Sequence, residues 1–549
     1  MATTVIQHVL SRLHDIGIRD VFGVPGDFSF PINDAICLDP PMRWIGCCNE
    51  LNAAYAADGY ARVKRVGAVC TTYGVGELSA LNGIAGAFAE NLPIFHLVGM
   101  PNRSVQEARA LMHHTLGNGE YDLFFQMTKP VVCARAIMTP QNVVFETERL
   151  ITEALYNLRP VYMAFPADLA NQPVLGAPQP PTSPPRSDPA SLAAAIDAVL
   201  AGLAEARTAC VLPGFLVARA GLQPVMQAII TASNLPFATM FWDKSVLDEQ
   251  QPAYVGMYDG ALMNEDVCAF VEGCDRVLAI GVLLTDLNSG AFTARLEPEK
   301  MIAISHHQTR VGKKNYPNVE MGDILTALAQ RLPKRDNSKR PSPAPPAICT
   351  GSDAGPLTAQ TLYPRLESVL RSGDLVMAET GTISMGLGFA RLPSDTFFYN
   401  QTLWGSIGWA TPAAFGAAIA APGRRVVLMT GEGAHQFTAQ ELSQFGRYGL
   451  KPIVFVLNNS GYLIERLLCK DPEIAYNDVA SWHYADLPRA LGCDGWFTAR
   501  VATCGELDQA LEKVKDATTG VYIELVTDPY AASPLAAKLH ESLRTLYKS

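Results

Sequence analysis

The sequence predicts an α/β protein of three domains, each a mostly parallel sheet flanked by helices. Three observations carry that prediction. At 549 residues the chain is too long to bury one hydrophobic core. Short apolar runs alternate with amphipathic stretches along its whole length, the pattern of strands joined by helical crossovers. Two proline-rich segments, Gly176 to Pro189 and Lys334 to Pro356, have neither a helical nor a strand period and read as linkers. They set the expected domains at 1–176, 190–334 and 357–549.

Composition narrows the function. With 48% hydrophobic and 17% charged residues, the chain is expected to be an ordinary globular protein. Its formal net charge of −10 and the absence of a Lys/Arg block argue against a nucleic-acid partner, because a phosphate backbone needs a concentrated basic surface. No uninterrupted apolar run reaches the roughly 18 residues of a bilayer span, and the N-terminal stretch through Arg12 and Asp15 lacks the apolar core of a secretory leader. A cytoplasmic chain without membrane contact, acting on a small molecule, is the expectation. The 12 cysteines are scattered, with Cys47 and Cys48 adjacent and no C-x-x-C pair, so neither a zinc site nor a disulfide framework is indicated. They are expected mostly as buried thiols.

The elements follow in order. Asp20 to Pro25 and Ala68 to Tyr73 read as buried strands ending in glycine turns, and Asn142 to Leu158 as a helix with Val144, Ile151, Leu155 and Leu158 on one face. Arg276 to Gly281 is a strand of the middle piece. In the last piece Val426 to Met429 reads as a strand running into Thr430-Gly431-Glu432-Gly433-Ala434. Thr438-Ala439-Gln440-Glu441 has the form of a capping box opening a helix that turns Leu442 and Phe445 inward. Ile453 to Leu457 is the next strand, ending at Asn458-Asn459-Ser460-Gly461.

A strand, helix and strand of this length form a right-handed crossover, so both loops emerge at the carboxyl edge of one parallel sheet, where ligands bind. Gly431 and Gly433 let backbone amides approach an anion there. Glu432 and the Asn459 side chain can share a hard cation such as Mg²⁺ with diphosphate oxygens. Taken alone, the same residues also fit an acidic turn and a polar strand end without a ligand.

The stretch resembles the thiamine-diphosphate motif, which usually opens Gly-Asp-Gly and closes Asn-Asn. Glu432 stands where Asp is usual, and its extra methylene predicts a cation held through water or more weakly. The resemblance covers nearly the whole chain, which is similar to the thiamine-diphosphate-dependent 2-oxo acid decarboxylases. It implies pyrimidine-binding, middle and diphosphate-binding domains, with thiamine diphosphate and Mg²⁺ as cofactors. In the run Cys48-Asn49-Glu50-Leu51-Asn52, Glu50 matches the glutamate that pairs with N1′ of the cofactor, favouring the 4′-imino form that takes the C2 proton. In Trp404-Gly405-Ser406-Ile407, the Gly405 carbonyl matches the acceptor for the 4′-amino group and Ile407 the wedge that bends the cofactor. Val75, Thr382, Gly433, Ala434, Asn459, Gly461 and Tyr462 are the other implied cofactor contacts, and Glu432, Asn459 and Gly461 the implied metal ligands.

Three further matches distinguish the pyruvate, indolepyruvate and phenylpyruvate decarboxylase group: Asp27 after Gly26, the pair His113-His114, and Glu465. They imply non-oxidative conversion of a 2-oxo acid to an aldehyde and CO2 through a C2 carbanion and an enamine. Glu465 is assigned to the carboxylate-leaving and protonation face, Asp27 with His114 to product release, and His113 to orienting Asp27. Related decarboxylases of branched or aromatic acids often carry bulky aromatics after the match to Gly381-Thr382. Ser384 and Met385 stand there, with Ile464 beside Glu465, and predict room for aryl or long and branched aliphatic side chains. Pyruvate decarboxylase, a carboligase of the acetolactate synthase type and a catalytically weak cofactor-binding protein are the alternatives. The family's shared sites imply a homodimer or homotetramer.

Overall fold

A computed structural model describes residues 3–38, 42–176, 180, 182–336 and 340–543. Parts of both expected linkers (177–179, 181 and 337–339) and the outer ends of the first and third expected domains lie outside these residues.

The apolar runs form three sheets. The first contains β1 (Asp20–Gly23), β2 (Arg43–Gly46), β3 (Gly67–Thr71), β4 (Ile94–Met100), β5 (Ala134–Ile137) and β6 (Val161–Pro166), in the order β2-β1-β3-β4-β6-β5. All its pairs are parallel. β4 and β6 are buried at every position, as a parallel sheet covered on both faces requires. Both expected strands here end sooner than their apolar runs, at Gly23 and Thr71. The expected helix forms over Val143–Asn157, but Leu155 is 38% exposed. Val144, Ile151 and Leu158 of the expected face are buried, and Val143, Thr147, Leu150 and Ala154 join them, because the face that meets the sheet follows helical spacing.

The second sheet comprises β7 (Ala209–Pro213), β8 (Phe237–Thr239), β9 (Tyr254–Met257), β10 (Arg276–Ile280), β11 (Met301–Ile304), β12 (Gln308–Val311) and β13 (Lys314–Pro317). Its order is β13-β12-β11-β10-β7-β8-β9, parallel except for the antiparallel edge strands β12 and β13. The third holds β14 (Leu375–Ala378), β15 (Phe397–Tyr399), β16 (Val426–Gly431), β17 (Ile453–Asn458), β18 (Phe497–Val501) and β19 (Val521–Val526). Its order is β15-β14-β16-β17-β19-β18, all parallel. Gly431 pairs with Leu457 at the carboxyl ends of β16 and β17, so the loops after both strands leave from one edge.

The crossover between them differs from expectation. A helix, Glu432–Thr438, opens at the end of β16, followed by a 3-10 turn at Ala439–Glu441 and a helix at Leu442–Arg447. Thr438 does not cap that turn with its side chain, so no capping box forms. Leu442 and Phe445 are buried as expected. All twelve cysteines are thiols, but only five are buried, fewer than expected.

By internal contacts the chain divides into two units. One gathers the first sheet with 411–423 and 438–450; the other gathers the second and third sheets. In the latter a buried ion pair ties the two sheets' segments together. Lys244 Nζ stands 3.0 and 3.1 Å from the Glu249 oxygens and donates to the Ala390 carbonyl at 2.6 Å. Glu249 in turn accepts the Leu392 N–H at 3.3 Å. Among the described residues no helix is long and apolar enough to cross a membrane.

Candidate active site

In the first unit, Glu50 opens the helix Glu50–Lys64, capped by the Asn49 side chain, which accepts the Asn52 N–H at 2.8 Å. Its Oε1 lies over the first turn of the helix Val75–Ala89, 3.3 Å from where a Cβ on Gly76 would stand. Partial burial raises its pKa above the usual carboxylate range, opposed by its own backbone N–H. A half-buried carboxylate with a raised pKa is suited to sharing a proton with a ring nitrogen. Val75, at the start of that helix, is exposed.

Asp27 begins a short 3-10 turn after β1, fixed by Ser29, whose hydroxyl accepts the Gly26 N–H at 3.1 Å and donates to the Gly26 carbonyl at 2.9 Å. His113 Nε2 stands 2.7 Å from Asp27 Oδ2, and His114 Nε2 stands 3.9 Å from Oδ1. The His113 ring stacks on Phe28 at 4.9 Å, and His114 meets the same ring edge-on at 5.9 Å. Two imidazoles and one carboxylate thus converge over one aromatic face. His114 has left-handed backbone (φ 62°), and its carbonyl occupies the space a side chain at Gly74 would need, 2.2 Å from that Cβ. Such strain persists only where surrounding structure holds it.

In the second unit, the carboxyl edge of the third sheet gathers the residues expected at the diphosphate and metal. Glu432 Oε1 accepts the Asn459 N–H at 3.1 Å and the Gly461 N–H at 2.8 Å. Burial pushes Glu432 up to about 7, the two backbone donors working against it. Ala434 is buried, and Gly433 lies under the Tyr462 ring, which an added Cβ would meet at 2.5 Å. One terminal atom of the Asn459 amide stands 3.0 Å from Glu432 Oε1 and 2.8 Å from the Gly461 carbonyl. With nitrogen there, the amide donates to both. Turned over, it presents oxygen 3.0 Å from the Glu432 oxygen and 2.8 Å from the Gly461 carbonyl, spacings close to the ~2.9 Å edge of an octahedron with ~2.0–2.1 Å bonds to Mg²⁺. The donor set therefore fits the cation, and the extra methylene of Glu432 is taken up by folding the carboxylate onto the loop amides.

Three residues of this edge were missed by the sequence reading. Arg466, buried on the helix Leu463–Leu468, donates to the Asn459 carbonyl at 3.0 Å and the Ser460 carbonyl at 2.6 Å, clamping the loop. Its signal was a cation inside an apolar run. Glu379, wholly buried after β14, accepts the Thr380, Gly408 and Ala410 N–H groups at 3.1, 3.2 and 3.1 Å, and burial pushes it up to about 7. Gln401 accepts the Ser406 N–H at 2.9 Å through its side chain and the Gly405 N–H at 3.1 Å through its carbonyl. Together Glu379 and Gln401 shape the segment that presents the Gly405 carbonyl and the part-exposed Ile407.

Thr382 opens the helix Thr382–Leu387, its hydroxyl 3.5 Å from Ser533 Oγ, and Ser384 donates to the Gly381 carbonyl at 3.0 Å. Met385 is 6% exposed in a cluster with Phe241, Leu535 and Leu539, against which Ile464 also packs. Glu465, next along, is exposed.

Three models of the thiamine pyrophosphate enzymes match the chain: the N-terminal TPP binding domain over 3–120, the central domain over 196–332 and the C-terminal TPP binding domain over 379–525. Fold and site thus define a thiamine pyrophosphate enzyme, with thiamine diphosphate as its cofactor. An alpha-keto-acid decarboxylase of Mycobacterium ulcerans is 40% identical over 546 residues, 98% of this chain and 96% of the relative. One of Mycobacterium leprae is 39% identical over 534 residues, 95% of this chain and 92% of the relative. The X-ray structure of a Mycobacterium smegmatis protein assigned to the thiamin diphosphate-dependent enzymes shares the fold, with TM-score 0.76 at 20% identity, covering 96% of this chain and 99% of that one. The chain belongs to the family of thiamine-diphosphate-dependent 2-oxo acid decarboxylases.

Proposed function

We propose that this chain is a non-oxidative carboxy-lyase that converts 2-oxo acids to aldehydes and CO2, favouring aryl or long and branched aliphatic acids such as phenylpyruvate or indolepyruvate. The observation that carries the decarboxylase reading is the Asp27–His113 hydrogen bond with His114 beside it. A decarboxylase has to put a proton on the carbon that lost CO2 and then take the hydroxyl proton as aldehyde leaves, whereas a carboligase bonds a second carbonyl carbon there in place of the first proton. Thiamine diphosphate, when bound, would supply a carbon nucleophile for the 2-oxo group and an electron sink for the loss of CO2.

The chain's own residues do the rest. Glu50 shares a proton with the pyrimidine N1′. The Gly405 carbonyl would accept from the cofactor's amino group, and Ile407 would pack against the cofactor between its two rings. Thr382, Gly433, Ala434 and Tyr462 would border the diphosphate, while Glu432, Asn459 and the Gly461 carbonyl would hold Mg²⁺. Glu465 serves the protonation face. Asp27, oriented by His113, works with His114 to move the product's hydroxyl proton, imidazole being able to exchange protons near neutral pH.

The expected domains at 1–176, 190–334 and 357–549, a homodimer or homotetramer and a cytoplasmic location belong to the same proposal. Substrate preference rests on Ser384, Met385 and Ile464. The packing of Met385 in a core cluster favours a second reading, pyruvate as the substrate, because less volume is then left beside Gly381. Specificity constants for pyruvate, 2-oxoisovalerate, phenylpyruvate, indolepyruvate and benzoylformate, with the aldehyde followed through a coupled dehydrogenase, decide between them. A higher value for phenylpyruvate than for pyruvate is expected; the reverse order would overturn the aryl preference, and no aldehyde from any acid would overturn the decarboxylase itself.

A further inference from the structure

Glu441 does not complete the capping box its sequence suggests, and its carboxylate goes elsewhere. Oε2 accepts the Cys48 N–H at 3.1 Å and the Asn52 Nδ2–H at 2.8 Å. Those donors lie two residues before and two residues after Glu50. Glu441 and Asn52 are both wholly buried, and the contact joins residues 389 positions apart within one structural unit. The surrounding segment follows the same path. Tyr448 accepts the Gly46 N–H at 3.1 Å through its hydroxyl, and Cys48 Sγ lies 3.3 Å from the Gln440 carbonyl and 3.4 Å from Ser443 Oγ. The connection from β2 to the helix Glu50–Lys64 is therefore held along the segment 440–448.

Burying a carboxylate without a counter-cation is unfavourable, and burial indeed raises the Glu441 pKa against the pull of Asn52 and Cys48. Its Oε2 takes a backbone N–H and a side-chain amide from the two ends of the stretch Cys48–Asn52, the turn that opens the helix. That turn has a single carboxylate pointing out of it, Glu50, poised over Gly76.

We propose that Glu441 is a positioning residue for Glu50: by bracketing residues 48 and 52 it sets where the Glu50 carboxylate stands relative to the pyrimidine ring. The inference rests on the reading that Glu50 shares a proton with N1′. Misplacing a reacting group by about 1 Å costs on the order of 100-fold, so a residue two steps removed from the chemistry can govern its rate.

The test is the rate of hydrogen–deuterium exchange at C2 of bound thiamine diphosphate, read by proton NMR after acid quench of the Mg²⁺-reconstituted holoenzyme without substrate. Glu441→Ala is expected to slow exchange by roughly 30- to 100-fold at saturating cofactor, with cofactor Kd changed less than about threefold. Glu441→Gln, which keeps one acceptor oxygen, should recover about tenfold of that loss. Asn52→Ala should slow exchange without adding to the effect of Glu441→Ala, because both remove one linkage. Ser443→Ala, which removes contacts to the Cys48 thiol, the Gln440 carbonyl and the Gln444 amide but none to Glu441 or Asn52, should leave it near native. If Glu441→Ala does not fold, Glu441→Gln and Asn52→Ala still decide, given melting temperatures near native. Glu50→Gln separates the two levels: unslowed exchange there overturns the N1′ reading, whereas slow exchange in Glu50→Gln with native rates in the Glu441 and Asn52 variants overturns the positioning role alone.

Discussion

His113 Nε2 and Asp27 Oδ2 are held 2.7 Å apart, with the imidazole stacked on Phe28 so that its ring plane is set before any substrate arrives. A carboxylate and an imidazole joined in this way act as one unit. Asp27→Asn and His113→Ala are each expected to lower kcat by about 10²- to 10⁴-fold with cofactor binding unchanged. The double variant should be little worse than the poorer single one. Full multiplication of the two losses in steady-state assays would show that the residues act independently.

Arg466 forms two charge-assisted hydrogen bonds to the carbonyls of Asn459 and Ser460, and so orders the loop that supplies the proposed metal ligands. Arg466→Lys has a point charge in place of a planar fork and cannot make both bonds in the same geometry. Titration of apo-protein with thiamine diphosphate and Mg²⁺, followed by tryptophan fluorescence, should give a Kd raised by about 10- to 100-fold. A native Kd would mean that the loop is ordered without the clamp.

Burial raises Glu379 from the usual carboxylate range to about 7, so folding takes up a proton between those values. The stability its neutral form contributes is complete below the unfolded pKa and is lost as pH rises through about 7. Glu379→Gln lacks this titration. Its stability should therefore change less between pH 5 and 8 than the native protein's, by up to about 1.4 kcal/mol per pH unit. Parallel stability curves for the two proteins would contradict the assignment.

Lys244 and Glu249 are each about 1% exposed, and the ammonium also holds the Ala390 carbonyl. Lys244→Met leaves Glu249 buried without its cation and should cost about 3–5 kcal/mol, seen as a lower thermal midpoint. Adding Glu249→Leu should recover most of the loss, because an apolar pair of similar volume avoids the desolvation cost. If the double variant is as unstable as the single, the ion pair itself supplies the stability.

The relation between sequence and structure follows one division. Continuous apolar runs such as Val426 to Met429 and Ile453 to Leu457 form buried parallel strands, because no other element covers a short apolar run on both faces. The same local logic placed Glu432 and Asn459 at one sheet edge. It failed at Leu155, where several apolar residues compete for one helical face, and at Thr438 to Glu441, where a strong local motif is outweighed by a distant partner.

By itself the sequence determined the three α/β sheets, the placing of Glu432 and Asn459 after two strands, and the identity of the acids and imidazoles available for chemistry, since each depends on side chains near one another along the chain. Only tertiary structure decided that Arg466 clamps the Asn459 loop, and that Glu379 and Glu441 spend their carboxylates on backbone amides. The physical reason is that a buried charge is tolerable only beside donors that satisfy it, and those donors are brought in by folding from far away in sequence.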